Sequence, residues 1–435
     1  MYFNNPSLEA IDFQTNSKLG MDLEVAFTTL RGLSGVTQRT LDRSNLSKVI
    51  KKNTGLDMDV ELAAEGNYHI DDELATVIMD VDKNNAVLSE WRQSWTEGFD
   101  GITAIDKATM GTTGTIDLVN VKVTGIFCEF NSTLYLSRNL LGKDSILTIR
   151  ELVGIVLHEI GHAFSYLEAL GRGARTNFVL SNAAKELMGT SDKKRKYEIL
   201  DEIEEASKIK ISDRDLVLQS RDEVGITTVL LSDMMVGMRS ELGCNIYDYR
   251  GFEQLADQFA ARMGYGADVV TALDKLFRKY GDAAYRGRIT FMLIEVGKGV
   301  SFIGAMVAAV LISSVSPAHS IFIVMMGALI LSNNPLLDIY DKPKRRFEVI
   351  KNELNKALKN KSISKAEKLK YISDIDYIDN VLSDMNSRES LYAWVWKTVM
   401  PWGRKQARSM DMQKALEDLA NSKLYTSSAK LETLV

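Results

Sequence analysis

Val156-Leu157-His158-Glu159-Ile160-Gly161-His162-Ala163-Phe164 places two of the chain's four histidines within five positions. Apolar residues surround them at three- and four-residue spacing, which predicts a helix. Its start is written just upstream. Thr148-Ile149-Arg150-Glu151 has the form of a capping box, a hydroxyl followed three positions later by a carboxylate. The apolar pattern runs on through Leu170, and Gly171 is the expected stop. On such a helix His158 and His162 project from one face, one turn apart. Two imidazoles so placed can reach one Zn²⁺ at about 2.0–2.1 Å each. Glu159 then lies beside the metal without having to bind it, where a carboxylate can take a proton from an activated water.

A catalytic zinc needs a third protein ligand and one open position. His69 and His319 stand alone and have no neighbours suited to the task. Phe252-Glu253-Gln254-Leu255-Ala256-Asp257-Gln258-Phe259-Ala260 is the better source. Glu253 and Asp257 share one helix face. Glu253 supplies the third ligand in this reading. Asp257 accepts the distal N–H of a ligating histidine and fixes its orientation. Small Ala256, Ala260 and Ala261 allow this helix to lie close against the first. The expected cofactor is one Zn²⁺ per chain.

Outward from these two helices the chain reads as α+β and predominantly helical. Gly111 to Gly114 forms a turn. Ile116 to Phe127 and Cys128 to Leu136 are rich in β-branched and aromatic residues, so a small β-sheet is expected ahead of the metal-binding helix, with Asn131-Ser132 as a turn. Leu19 to Leu33 and Asp71 to Trp95 carry helical spacing. Asp192 to Asp215 is highly charged and reads as a solvated helical surface with a loop. Helices are expected over Gly251–Met263, ended by Gly264, and over Asp268–Tyr280. Ser364-Lys365-Ala366-Glu367 is a second capping box. The expected organisation is an N-terminal helical region (1–105), a core (106–288), an apolar helical hairpin (289–340) and a C-terminal helical region (341–435).

The pairing of His158-Glu159-x-x-His162 with Glu253-x-x-Ala256-Asp257 resembles the gluzincin membrane-linked peptidases of the HtpX and CAAX-prenyl-protease type, over about residues 115–280. The resemblance implies a zincin-like core with zinc at His158, His162 and Glu253, and Glu159 as the catalytic group of an endopeptidase. It also implies that the strand near 132–137 is the sheet edge that aligns a substrate peptide, with Thr133, Leu134, Tyr135 and Leu136 as contacts. An extended peptide can add to such an edge through backbone hydrogen bonds. Where that family often carries a downstream His-Pro and then an arginine, this chain has Asn334-Pro335 and then Arg345-Arg346-Phe347. Arg345 or Arg346 could approach the cleft, although basic residues opening a helix are more often solvated. Tyr247, Tyr249 and Tyr265 flank the Glu253 helix, and the sequence does not select one of them to stabilise an oxyanion.

Gly299 to Leu331 contains 33 residues without one charged side chain, broken by Ser316-Pro317-Ala318-His319. Neither half reaches the roughly 20 residues of a full bilayer span. A hairpin dipping into a membrane is the expectation, with a buried helical pair as the alternative. Basic residues on both flanks suit two cytoplasmic ends. Trp394, Trp396 and Trp402 among cations also suit a bilayer interface. Met1 to Gly20 lacks an apolar signal segment, so the expected location is membrane-associated with a cytoplasmic core, or else cytoplasmic, and not signal-peptide secretion. The net charge of -5 argues against a general nucleic-acid binder. Two cysteines cannot build a disulfide framework. The expected partner is a protein or peptide substrate. The competing function is a catalytically silent scaffold with a structural or anchoring role in a larger assembly.

Overall fold

The computed structural model describes residues 17–33, 35–63, 75–79, 114–207, 210–219, 249–280, 343–360 and 363–386, with a few isolated positions besides. It is mostly helical with a small mixed sheet. The chain divides into two compact units, residues 2–265 and Gly266–Val435.

In the first unit, α1 (Lys18–Gly32), α2 (Gln38–Arg43) and α3 (Leu46–Thr54) lead into β1 (Met58–Leu62). Then come β2 (Ala75–Met79), the hairpin β3 (Gly114–Asp117) and β4 (Lys122–Gly125), and a short 3₁₀ turn at Ile126–Glu129. β5 (Ser132–Leu136) and α4 (Arg138–Leu141) precede the long helix α5 (Ile149–Gly189). α6 (Lys193–Ser207), α7 (Arg214–Gln219) and α8 (Tyr249–Ala260) follow, and a π-turn over Ala261–Tyr265 closes the unit.

The predicted capping box starts α5. Thr148 Oγ1 accepts from the Glu151 amide at 3.2 Å, and Glu151 Oε2 accepts from the Thr148 amide at 2.7 Å. Arg31 on α1 fixes the loop before it, donating to the carbonyls of Leu147 and Leu140 at 2.8 and 3.0 Å. Glu24, also on α1, pairs with Arg150 at 2.9 Å and accepts from the Tyr265 hydroxyl at 2.7 Å. The Arg150 guanidinium lies 4.6 Å from the centre of the Tyr265 ring. A Cβ at Gly20 would stand 2.3 Å from that ring, so glycine there makes room for it. These bonds hold α1, the first turn of α5 and the turn after α8 in one rigid corner.

Several expectations are corrected. Of the helix expected over Asp71–Trp95, Ala75–Met79 is a strand paired with β5, and the rest lies outside the described residues. A short apolar run rich in Thr, Val and Ile reads either way by spacing alone, and the available partner decides it. The sheet order is β1-β5-β2, with β1 parallel and β2 antiparallel to β5. β5 is therefore the central strand. Thr133 to Leu136 are paired on both sides, so they cannot form the open edge that the resemblance implies. The boundary at 105/106 also dissolves, because β1 and β2 supply two of the three strands in that sheet. The boundary expected at 288 falls instead after Tyr265.

Gly171 does not end α5, which continues to Gly189. A lone helical glycine costs only about 1 kcal/mol relative to alanine, and here it has a packing role. A Cβ at Gly171 would stand 3.0 Å from the ring of Phe127.

In the second unit, α9 (Gly266–Tyr280), α10 (Pro343–Leu358) and α11 (Lys365–Asn386) pack together. The second capping box is formed, with Ser364 and Glu367 exchanging bonds at 2.8 and 3.3 Å. Arg346 is buried, not solvated. Apart from isolated positions such as Val300 and Val307, the apolar segment 289–340 lies outside the described residues, as do Trp394, Trp396 and Trp402. Among the described residues no helix is long and apolar enough to cross a membrane.

Candidate metal centre

α8 packs along α5, and the crossing is made by small residues. A Cβ on Gly161 would stand 2.9 Å from Phe259 Cβ, 3.0 Å from Ala256 Cα and 3.2 Å from the Ala256 carbonyl oxygen. Only a glycine at 161 against an alanine at 256 lets the two backbones come so close. The Phe164 and Phe259 rings stack beside this point at 5.4 Å.

That approach brings the four side chains expected to hold and orient a metal together. His158 Nε2 and His162 Nε2 face each other at 3.0 Å. Glu253 places Oε2 at 3.4 Å from His158 Nε2 and Oε1 at 3.4 Å from His162 Nε2. Asp257 Oδ1 lies 2.9 Å from His158 Nδ1, the nitrogen turned away from the cluster. A carboxylate at that distance favours the proton on Nδ1 and leaves Nε2 as the electron-pair donor, although the two groups are not aligned as a hydrogen bond.

The donor set fits a zinc ion. Corners of a tetrahedron drawn about 2.0–2.1 Å from a centre lie about 3.3 Å apart. The two ring nitrogens stand 3.0 Å apart, and each lies 3.4 Å from a different oxygen of Glu253, so each separate spacing is close to that edge length. Two imidazoles and one carboxylate are donor types that zinc accepts. Charge points the same way. Glu159, Glu253 and Asp257 are all buried around two imidazoles. Burying carboxylates is costly unless positive charge is nearby, and a divalent cation supplies it.

Glu159 comes within 4.8 Å of both histidine donors. Burial pushes its carboxyl above the usual glutamate range. The two imidazoles oppose that shift, Glu253 adds to it, and the backbone N–H of Val77 opposes it again. That amide donates to Glu159 Oε2 at 3.1 Å. His162 is the more exposed of the two histidines, keeping 17% of its side-chain surface against 6% for His158.

Other expectations resolve differently. Tyr265 is fully buried and its hydroxyl is bound to Glu24, so it cannot reach a reacting oxygen. Tyr249 opens α8, while Tyr247, His69 and His319 lie outside the described residues. Arg345 and Arg346 belong to the second unit. Cys128 is a free, half-buried thiol whose Sγ lies 3.2 Å from the Val123 carbonyl, and burial raises its pKa. The contact that sequence reasoning missed is the Val77 amide. A backbone N–H leaves no mark in a sequence, and the only available hint was the β-branched run around it.

No protein-family model matches this chain, and no curated protein or solved structure matches it either.

Proposed function

We propose that this chain is a zinc-dependent endopeptidase with a zincin-like core of the gluzincin kind. His158, His162 and Glu253 are its ligands, Asp257 orients His158, and Glu159 is its general base. The observation that carries this reading is the pair of imidazole nitrogens 3.0 Å apart, each 3.4 Å from an oxygen of Glu253, with the buried Glu159 carboxylate beside them. A structural metal site has no use for that extra carboxylate.

A bound zinc would supply Lewis acidity, lowering the pKa of water and polarising a carbonyl. The rest falls to the protein. Glu159 takes the proton from the attacking water and delivers it to the leaving amine. Asp257 keeps the His158 ring from turning. The close crossing of α5 and α8 keeps water away from the inner side of the ligands.

The strand that receives an extended peptide is β2 in this reading, in place of β5. Among the described residues β2 ends the sheet on the side of α5, and β5 pairs with only one of its edges. Backbone pairing of this kind favours unfolded segments over folded substrates.

The test is Glu159→Gln. The variant is expected to keep its zinc and to lose hydrolysis of an unfolded protein substrate. Cleavage at the wild-type rate by the variant would overturn the assignment. A zinc-loaded wild type that cleaves nothing across a broad peptide library would favour the silent-scaffold alternative.

A further inference from the structure

Glu159 and Val77 are 82 positions apart in sequence, yet the Val77 amide donates to the Glu159 carboxylate at 3.1 Å. Val77 stands opposite Leu134 in the antiparallel pair of β2 and β5. In such a pair, opposed residues alternate between exchanging both backbone bonds and exchanging none. An amide aimed at α5 points away from β5, so Val77 belongs to the second kind. Its backbone groups project from the outer edge of β2, as do those of Ala75 and Met79, which share its phase. The carboxylate therefore sits on the edge of the strand, midway along its five residues.

The bond has a geometric consequence. A glutamate side chain turns about several torsions and can point its carboxylate in many directions. Here Oε2 is held by a group that belongs to the sheet, which leaves Oε1 for the water. A peptide lying along β2 would meet backbone groups of Ala75 and Met79 on either side of the carboxylate. The strand that aligns the substrate is then also the element that aims the base.

We propose that the Val77 backbone N–H is the positioning group for Glu159 in peptide hydrolysis. This rests on reading Glu159 as the general base. It assigns a role to a residue about 80 positions before the metal-binding motif, and the role depends on the main chain alone.

The direct test exchanges Val77 for its α-hydroxy acid analogue in the full-length, zinc-loaded protein. The Thr76–Val77 amide becomes an ester and the side chain stays; the N–H removed does not face β5, while the Thr76 carbonyl, which does, becomes a weaker acceptor. The expected result is a fall in kcat of about 10–100-fold, the range for removing one hydrogen bond to a charged group. KM and zinc content should stay near their wild-type values. Val77→Ala keeps the N–H and loses only side-chain packing, so its loss in kcat should be much smaller than that of the ester. An ester variant with wild-type kcat, or one changed only in KM, would overturn the proposal. So would equal losses in the ester and Val77→Ala.

Amide hydrogen exchange gives a readout that needs no activity. The Val77 amide should exchange slowly in the wild type and fast in Glu159→Ala, with Thr76 and Ile78 unaffected. Fast exchange at Val77 in the wild type would refute the contact itself. If exchange is slow but the wild type cleaves no peptide, the peptidase reading has failed, and the positioning role fails with it while the contact stands.

Discussion

Carboxylates meet nitrogen bases both where α5 crosses α8 and on the helical lobe formed by the end of α5 with α6 and α7. At the crossing, Glu253 and Asp257 are buried and face imidazoles at 2.9–3.4 Å. On the lobe, Arg195 pairs with Glu202 at 2.7 Å, and Arg214 pairs with Asp201 at 2.7 Å and with Glu204. Those side chains keep between 23% and 64% of their surface, so water screens them. The lobe is held by its own apolar core, which includes Ala184, Leu187, Leu200, Ile203 and Val217, and its ion pairs decorate the outside. At the crossing the order is reversed. Close backbone packing at Gly161 and Ala256 exists to put acids and imidazoles where water is scarce. Acids facing guanidinium groups in solvent need no further partner. Buried acids facing imidazoles are what the proposed zinc site requires.

If this contrast is right, substitutions at the two places should differ in kind. Glu253→Ala should have the largest effect, with zinc content falling far below one per chain and peptide hydrolysis falling to background. Metal analysis beside an activity assay checks it, and full zinc retention would remove Glu253 from the ligand set. Gly161→Ala should come next, costing about 1–3 kcal/mol of stability by forcing a methyl group between the two helices. Denaturation of this variant measures the cost, and unchanged stability would mean the crossing is looser than the distances imply.

Asp257→Asn should weaken zinc binding by about 10–100-fold through loss of the hold on His158. A competition titration with a chelating dye reads this out, and wild-type affinity would make Asp257 a bystander. Arg214→Ala should matter least. Its cost should be under about 1 kcal/mol and should shrink in high salt, with zinc affinity untouched. Denaturation at two salt concentrations tests it, and a loss of metal would show that the lobe and the crossing are not independent.

The parts of the centre that follow helical spacing were legible before any coordinates. His158, Glu159 and His162 are fixed by one turn of helix, and Glu253 and Asp257 by another. Thr148 and Glu151 announced the start of α5 because a capping box is a local device. What the sequence hid depends on partners far along the chain. Ala75–Met79 becomes a strand because β5 offers it pairing. Gly171 marks the close approach of Phe127, not a helix end. Thr133 to Leu136 lie inside the sheet because β1 and β2 arrive from residues that read as part of a helical region. The grip of Val77 on Glu159 is invisible for a different reason, since every residue but proline carries the same N–H.

The most direct measurement is the metal content of the purified full-length chain, taken together with X-ray absorption at the zinc edge. The account predicts about one zinc per chain, with two imidazole nitrogens at about 2.0–2.1 Å and oxygen ligands at about 2.0–2.2 Å. It also predicts loss of that zinc in the double variant His158→Ala, His162→Ala. A protein that purifies and stays without metal in excess zinc, or zinc that survives the double variant, would contradict it.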